Sequence, residues 1–220
     1  MAIRMVFEKE LIQLKNAVRE MHEMAEISYN KLVMAAVNNQ KESYEQLLTV
    51  NRDFVDMQRK IEAMCLKLLT MQQPLATDLR LVSAALKVVT DIERIGDHVT
   101  DMAELFLRLD PPYNPSRNMI LQSMMEEAKE MLHYAAEAFV NGDIGLAEKV
   151  IAQDDVVDDL FNQAKESMMQ GIREQRLEPD EIVDTLMLVK YVEKIADHAV
   201  NICEWSVFQK TGDMQNIRLL

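Results

Sequence analysis

The chain has 220 residues, a formal charge of −13 and 49% apolar residues. That length suits one ordinary domain or two small ones, with enough apolar material for a sizeable core. The acidic surplus repels phosphate backbones and anionic lipid, so direct nucleic-acid binding is not expected.

Gly and Pro number five each and aromatic residues make up only 5%. The strong helix formers Ala, Leu, Met, Glu and Lys are abundant instead, which points to an all-α fold. No stretch approaches 18 uninterrupted apolar residues, and Met1 to Glu10 lack an apolar signal core. Neither a transmembrane helix nor a signal peptide is expected, and the chain reads as cytoplasmic. Cys65 and Cys203 sit in separate apolar helical runs and are expected to be buried, reduced thiols. The 17 Met are expected mainly to fill core.

In chain order, the first predicted helix carries a stripe of Leu11, Leu14, Val18, Met21 and Ala25 and ends at Asn38-Asn39-Gln40. The second runs to Gln72-Gln73-Pro74, and the third to Asp110-Pro111-Pro112-Tyr113-Asn114-Pro115. The fourth, striped by Leu121, Met124, Ala128, Met131, Ala135 and Ala138, stops at Asn141-Gly142-Asp143. The fifth ends near Glu178-Pro179. Asp180 and Glu181 then open the sixth, where the macrodipole favours acids. Six helices of about 25 to 35 residues result, each roughly 40–50 Å long. Long helices joined by short loops run antiparallel. Pro112 and Pro115 cannot occupy a helix interior, so the middle break separates two units, residues 1–110 and 116–220, of three helices each.

The third and sixth helices share a segment. One reads Val89-Thr90-Asp91-Ile92-Glu93-Arg94-Ile95-Gly96-Asp97-His98, the other Val189-Lys190-Tyr191-Val192-Glu193-Lys194-Ile195-Ala196-Asp197-His198. Glu104 and Glu204 match at the same spacing. Identical polar residues in identical order mark a duplication, not chance periodicity. A weaker echo links Ala36-Val37-Asn38 to Phe139-Val140-Asn141.

Glu93, Asp97 and Asp101 stand at i, i+4 and i+8, so one helix face carries three carboxylates. Like charges at that spacing repel by a few tenths of a kcal/mol unless neutralised. Glu193 and Asp197 repeat the pair, with Asn201 in third place. Oxygen clusters of this kind suit Mg²⁺, Mn²⁺, Ca²⁺ or iron. His98 and His198 point about 100° away from the preceding Asp, as ligands, as donors behind the ligands, or as partners for Asp101 and Glu193. One copy alone reads first as a solvated acidic face; two copies reverse that preference. Acids on the second and fifth helices are further candidates: Asp53 and Asp56 in the first half, Asp154, Asp155 and Asp158 in the second. Glu130 and His133 form a single Glu-x-x-His pair, whereas a di-iron carboxylate bundle needs two. There is no Gly-rich phosphate loop and no Cys-x-x-Cys.

Gln72-Gln73-Pro74-Leu75-Ala76-Thr77-Asp78-Leu79-Arg80, with the Glu93-to-His98 and Glu193-to-His198 segments, resembles the PhoU family of phosphate-signalling regulators. The resemblance spans nearly the whole chain. It implies two pseudo-symmetric three-helix bundles packed side by side. It also implies divalent or ferric metal ions (Fe, Mn, Mg or Zn), multinuclear, one cluster per repeat. The implied role is negative regulation of phosphate uptake and the phosphate-starvation response. The implied partners are the ATPase subunit of the phosphate ABC transporter, a sensor histidine kinase and a second copy of the chain, with no enzymatic activity. Carried over by position, Glu93, Asp97 and Asp101, then Glu193, Asp197 and Asn201, match the motifs, and Asp154 and Asp158 match an acidic position that completes the second site. Asn51, Arg52 and Val55 occupy the corresponding places in the first half, so the first cluster is expected to be poorer in ligands or to use Asp53 and Asp56. Two other readings stand beside this one: a di-iron carboxylate oxidase or metal-storage bundle, and a metal-free scaffold whose acids dock basic partners.

Overall fold

A computed structural model describes residues 2–71, 75–109, 118–174 and 179–213. It is helical, with no strand among the described residues: α1 (Ala2–Asn38), α2 (Lys41–Leu47), α3 (Asn51–Thr70), α4 (Ala76–Arg108), α5 (Met119–Asn141), α6 (Ile144–Arg173) and α7 (Pro179–Thr211). The all-α plan of six long helices holds, with α2 and α3 together taking the place of the second. The lengths range more widely than the pattern suggested, from 23 residues in α5 to 37 in α1.

Local chemistry sets the boundaries. Asn118 and Asp143 each accept a backbone N–H three residues on (Leu121 and Leu146, both 3.1 Å), capping α5 and α6. The chain leaves α1 and α5 through left-handed residues, Asn39 (φ 52°) and Gly142 (φ 63°), the two residue types best suited to that conformation. The breaks assigned to Gln72–Pro74 and Asp110–Pro115 lie outside the described residues, as does Glu178; Pro179 opens α7, followed by Asp180 and Glu181.

The predicted apolar stripes are the core. Leu14, Val18, Met21 and Ala25 of α1 are buried, as are all six stripe residues of α5, while Leu11 is half-buried. α1, α3 and α4 pack together, α5, α6 and α7 pack together, and the halves join along α4–α7 and α1–α5. α4 and α7 run antiparallel: Arg80 near the start of α4 donates to the Gln209 carbonyl (3.4 Å), and Arg108 at its end lies 3.7 Å from Asp184. Cys65 and Cys203 are buried free thiols, each pushed up to about 12 by burial.

The second predicted helix breaks where sequence showed no signal. α2 closes with tight i→i+3 bonds, Leu48 N–H to the Glu45 carbonyl (3.4 Å) and Val50 N–H to the Leu47 carbonyl (3.3 Å). Thr100 on α4 brings its hydroxyl to 3.4 Å from the Leu47 carbonyl and 3.2 Å from the Gly96 carbonyl, sharing one hydrogen between them. The matching residue on α7 is Val200, which has no hydroxyl, and α6 is continuous. Tyr44 of α2 stacks on Phe106 (5.1 Å between centroids), anchoring the short helix.

Candidate functional site

The two repeated acidic segments lie in the middle of α4 and α7, the helices that join the halves. Each holds its Glu and Asp on one face, largely shielded from water, with Glu93 and Glu193 keeping about 15% and 13% side-chain exposure. In the first copy Asn51, at the start of α3, donates its side-chain amide to Asp97. Arg94 donates to Asp97 (3.1 Å) and lies 3.9 Å from Glu93. Burial, then the Asp97 charge, raises the Glu93 pKa above the ordinary carboxylate value, with Arg94 and His198 opposing. In the second copy Lys190 donates to Glu193 (2.6 Å), and Lys194 donates to Asp197 while lying 3.6 Å from Glu193. The like-charge cost expected at i, i+4 is thus met by cations on the same helix.

The third position of each motif turns elsewhere. Asn201 donates to Asp91 (3.0 Å), and His198 Nδ1 shares the same Asp91 oxygen (2.8 Å). At the mirrored place the Tyr191 hydroxyl faces Asp101 and opposes the rise in its pKa that burial imposes. The rings of His98 and His198 stack at 5.5 Å, and His98 lies 5.3 Å from Tyr191. A pseudo-two-fold seam results: Asp91, His198 and Asn201 on one side, Tyr191, His98 and Asp101 on the other. His98 Nδ1 is buried and 3.9 Å from Asp101, too far for a hydrogen bond. Burial and then His198 lower its pKa to about 4, so His98 is neutral at pH 7.

Asp91 and Tyr191 were missed from sequence because they differ between the copies, and comparing repeats keeps only what agrees. The available signal was their shared place in the aligned segments, two positions before the repeated Glu. Among the other candidates, Asp154 is half-buried on α6 and Asp158 is exposed. Asp53 and Asp56 are exposed, and the α3 residue that reaches the first motif is Asn51. His133 does not pair with Glu130: it reaches Glu26 on α1 (2.8 Å), because α5 turns that side chain towards the α1 seam.

Paired, partly buried carboxylates with an amide beside them have the donor chemistry of a hard-cation site. As drawn in by Arg94, Lys190 and Lys194, they do not converge further: among the described residues no three His, Cys, Asp or Glu side chains are grouped to hold a metal ion. The donors suit a cation, and holding one requires these cationic side chains to swing away.

A helical chain built twice over, with an acidic motif at the centre of each copy and its halves joined motif to motif, defines a class of paired three-helix-bundle proteins. The sequence model of the PhoU domain matches residues 18–106 and again 121–206, and the chain belongs to the PhoU family. It is 31% identical to a phosphate-specific transport system accessory protein PhoU homolog of Clostridium acetobutylicum, over 95% of this chain and 96% of the relative. A Synechocystis homolog of the same description is also 31% identical, covering 95% and 93%. Two crystal structures share the fold. PhoU from Pseudomonas aeruginosa has a TM-score of 0.87 at 26% identity, covering 94% of this chain and 100% of that one. The phosphate transport system regulatory protein PhoU from Streptococcus pneumoniae has a TM-score of 0.90 at 24% identity, covering 96% and 100%. The expectations of family and of a helical-bundle fold are met.

Proposed function

We propose that this chain is an accessory regulator of phosphate transport, acting as a negative regulator of uptake and of the phosphate-starvation response. In this reading it is a cytoplasmic, non-enzymatic adaptor between the transporter's ATPase subunit and a sensor histidine kinase, working as a homodimer. The observation that carries it is the duplicated Glu-x-x-x-Asp segment in a tandem pair of PhoU domains, among relatives described as phosphate-specific transport system accessory proteins. Among the described residues no helix is long and apolar enough to cross a membrane, so contact with a transporter is through its peripheral parts.

The metal part of the proposal is one divalent or ferric cluster per repeat. Glu93 and Asp97, with the Asn51 carbonyl oxygen, would hold the first. Glu193 and Asp197, with Asp154 from α6, would hold the second, and Asp101, Asn201 and Asp158 stand further out. A bound cation supplies charge that locks neighbouring helices together. The protein's own contribution is to keep the carboxylates shielded and close to neutral until then, through Arg94 in one repeat and Lys190 and Lys194 in the other.

The test is a pull-down from phosphate-replete cells with and without chelator, beside elemental analysis of the purified protein. Stoichiometric Fe, Mn, Mg or Zn is expected, falling by about half in a Glu193→Ala/Asp197→Ala double variant. Absence of metal even after reconstitution would remove the metal part. Recovery of neither transporter ATPase nor kinase would remove the adaptor part. The existing ion pairs favour a second reading, a metal-free scaffold, which predicts a partner interaction sensitive to salt and indifferent to chelator.

A further inference from the structure

At the end of the molecule where α1, the start of α4 and the end of α7 converge lies a groove of about 500 Å³. Its floor is apolar, from Leu11, Ile12 and Leu81, and Ile12 remains 60% exposed. Its rim carries Lys15, Arg80 and Lys210. None of these three forms an ion pair among the described residues; Arg80 is spent on the Gln209 carbonyl (3.4 Å). The two acids of the groove, Glu8 and Asp78, are already claimed by Arg4 at 3.0 and 2.5 Å.

Lys15 makes the imbalance sharpest. It is half-buried, and its pKa is lowered first by desolvation, then by Lys210 and Arg19 nearby. A chain with 37 acidic residues against 24 Lys and Arg has carboxylates to spare, yet among the described residues the charges that shift this desolvated ammonium, Lys210 and Arg19, are both cations. Unpaired like charges beside exposed apolar surface are costly alone and become favourable when an anion covers them.

We propose that this groove docks an acidic, amphipathic peptide segment of a protein partner, with apolar side chains on Leu11, Ile12 and Leu81 and carboxylates on Lys15, Arg80 and Lys210. Charge complementarity selects the occupant. The rest of the molecule is strongly negative and repels an acidic segment, so the groove is a local well in a hostile field that sets both register and specificity. A groove that combines an apolar floor with a cationic rim suits a helix or extended strand presenting both features. The inference goes beyond the regulatory reading and needs neither the metal sites nor the seam, so its failure leaves both untouched.

The experiment uses the full chain and a labelled helical peptide with Leu on one face and Glu along its edges, followed by fluorescence anisotropy. Gln-for-Glu and Lys-for-Glu versions are controls. Saturable binding of the Glu peptide is expected, weakened roughly tenfold or more in Lys15→Glu and Arg80→Glu, and reduced by added salt. Lys165→Glu, on α6 and outside the groove, leaves it unchanged. Circular dichroism and thermal unfolding establish that each variant is folded. Acetylation footprinting of Lys15, protected by the Glu peptide, gives an independent readout. Equal binding of Glu and Gln peptides, equal affinity of the Lys15 variant, or no saturable binding would overturn the proposal. So would displacement by inorganic phosphate or preference for anionic vesicles, which would assign the cations to a small anion or a membrane.

Discussion

The two halves share a plan and differ in how each solves the same packing problems. At the crossing of helices two and three of each repeat, the first half places the Phe54 ring against Gly96, where a Cβ would meet the ring at 2.5 Å. The corresponding residues of the second half are Val157 and Ala196, both buried: where the ring shrinks to Val, the glycine has become Ala. The first half breaks its second helix and closes the gap with Thr100; the second keeps α6 whole beside Val200. The first offers Asn51 to its acidic motif, and the second has Asp154 at the aligned place. Duplication conserves the apolar frame and the acidic pair, while the residues that support them change in matched sets. A substitution therefore has to be judged against its partner in the same half.

The largest effect should come from swapping those sets. Gly96→Ala overpacks the ring and is expected to cost about 2 kcal/mol, and Phe54→Val about 2–3 kcal/mol through lost burial and a void. The double variant recreates the second half's arrangement, so in urea unfolding its loss should be at least about 1 kcal/mol smaller than the two losses combined. Strict additivity would break the idea of matched sets. Next is the seam. Asp91→Ala strands the donors of His198 and Asn201 and should cost about 2 kcal/mol, whereas Tyr191→Phe, which frees a half-exposed Asp101, should cost about 1 kcal/mol or less. Equal losses would mean that the two sides of the seam are energetically alike.

A pH comparison is subtler. Aligned through Asn38 and Asn141, His22 of α1 matches Met125 of α5, and both are buried. Among the described residues neither ring nitrogen of His22 has a hydrogen-bond partner, and burial, then His133, lowers its pKa to about 3. His22 and His98 therefore refuse a proton that the unfolded chain accepts below about 6.5. The unfolded state binds more protons in that window, so stability should fall as pH drops from 6.5 towards 4. His22→Met should raise stability at neutral pH by about 1 kcal/mol and flatten the slope. An unchanged slope in chemical denaturation across that range would show that His22 is not responsible. The smallest effect is expected at Arg94→Ala, under about 1 kcal/mol because the guanidinium is 58% exposed, although the same change should ease cation loading of the first site.

Much of this was legible in order of residues. Periodicity located the helices because each must bury one stripe, and the stripes of α1 and α5 are core. The doubled acidic segment stood out because identical polar residues are not required by packing. The break after Leu47 was not legible: no Gly or Pro marks it, and it depends on a hydroxyl from another helix. The seam escaped for a related reason. Asp91 and Tyr191 are unlike residues performing mirrored tasks, and only juxtaposing α4 and α7 reveals them as a pair. The Glu130–His133 spacing left the partner of His133 open, and it is Glu26, because i, i+3 proximity says which residues share a face, not which neighbour that face meets.

Composition and spacing settled the helical class, the duplication and the central acidic pairs, since these follow from local propensity and repeated pattern along one chain, while the likeness of particular motifs to known proteins pointed to the family. Contacts between distant helices decided the rest: that His98 stacks on His198, that Asp91 serves Asn201, that Arg94, Lys190 and Lys194 rest on the acids, and that Lys15, Arg80 and Lys210 gather around one groove. Charges along a helix are read from its sequence, but whether a charge is buried, paired or left waiting for a partner depends on what the other helices bring beside it.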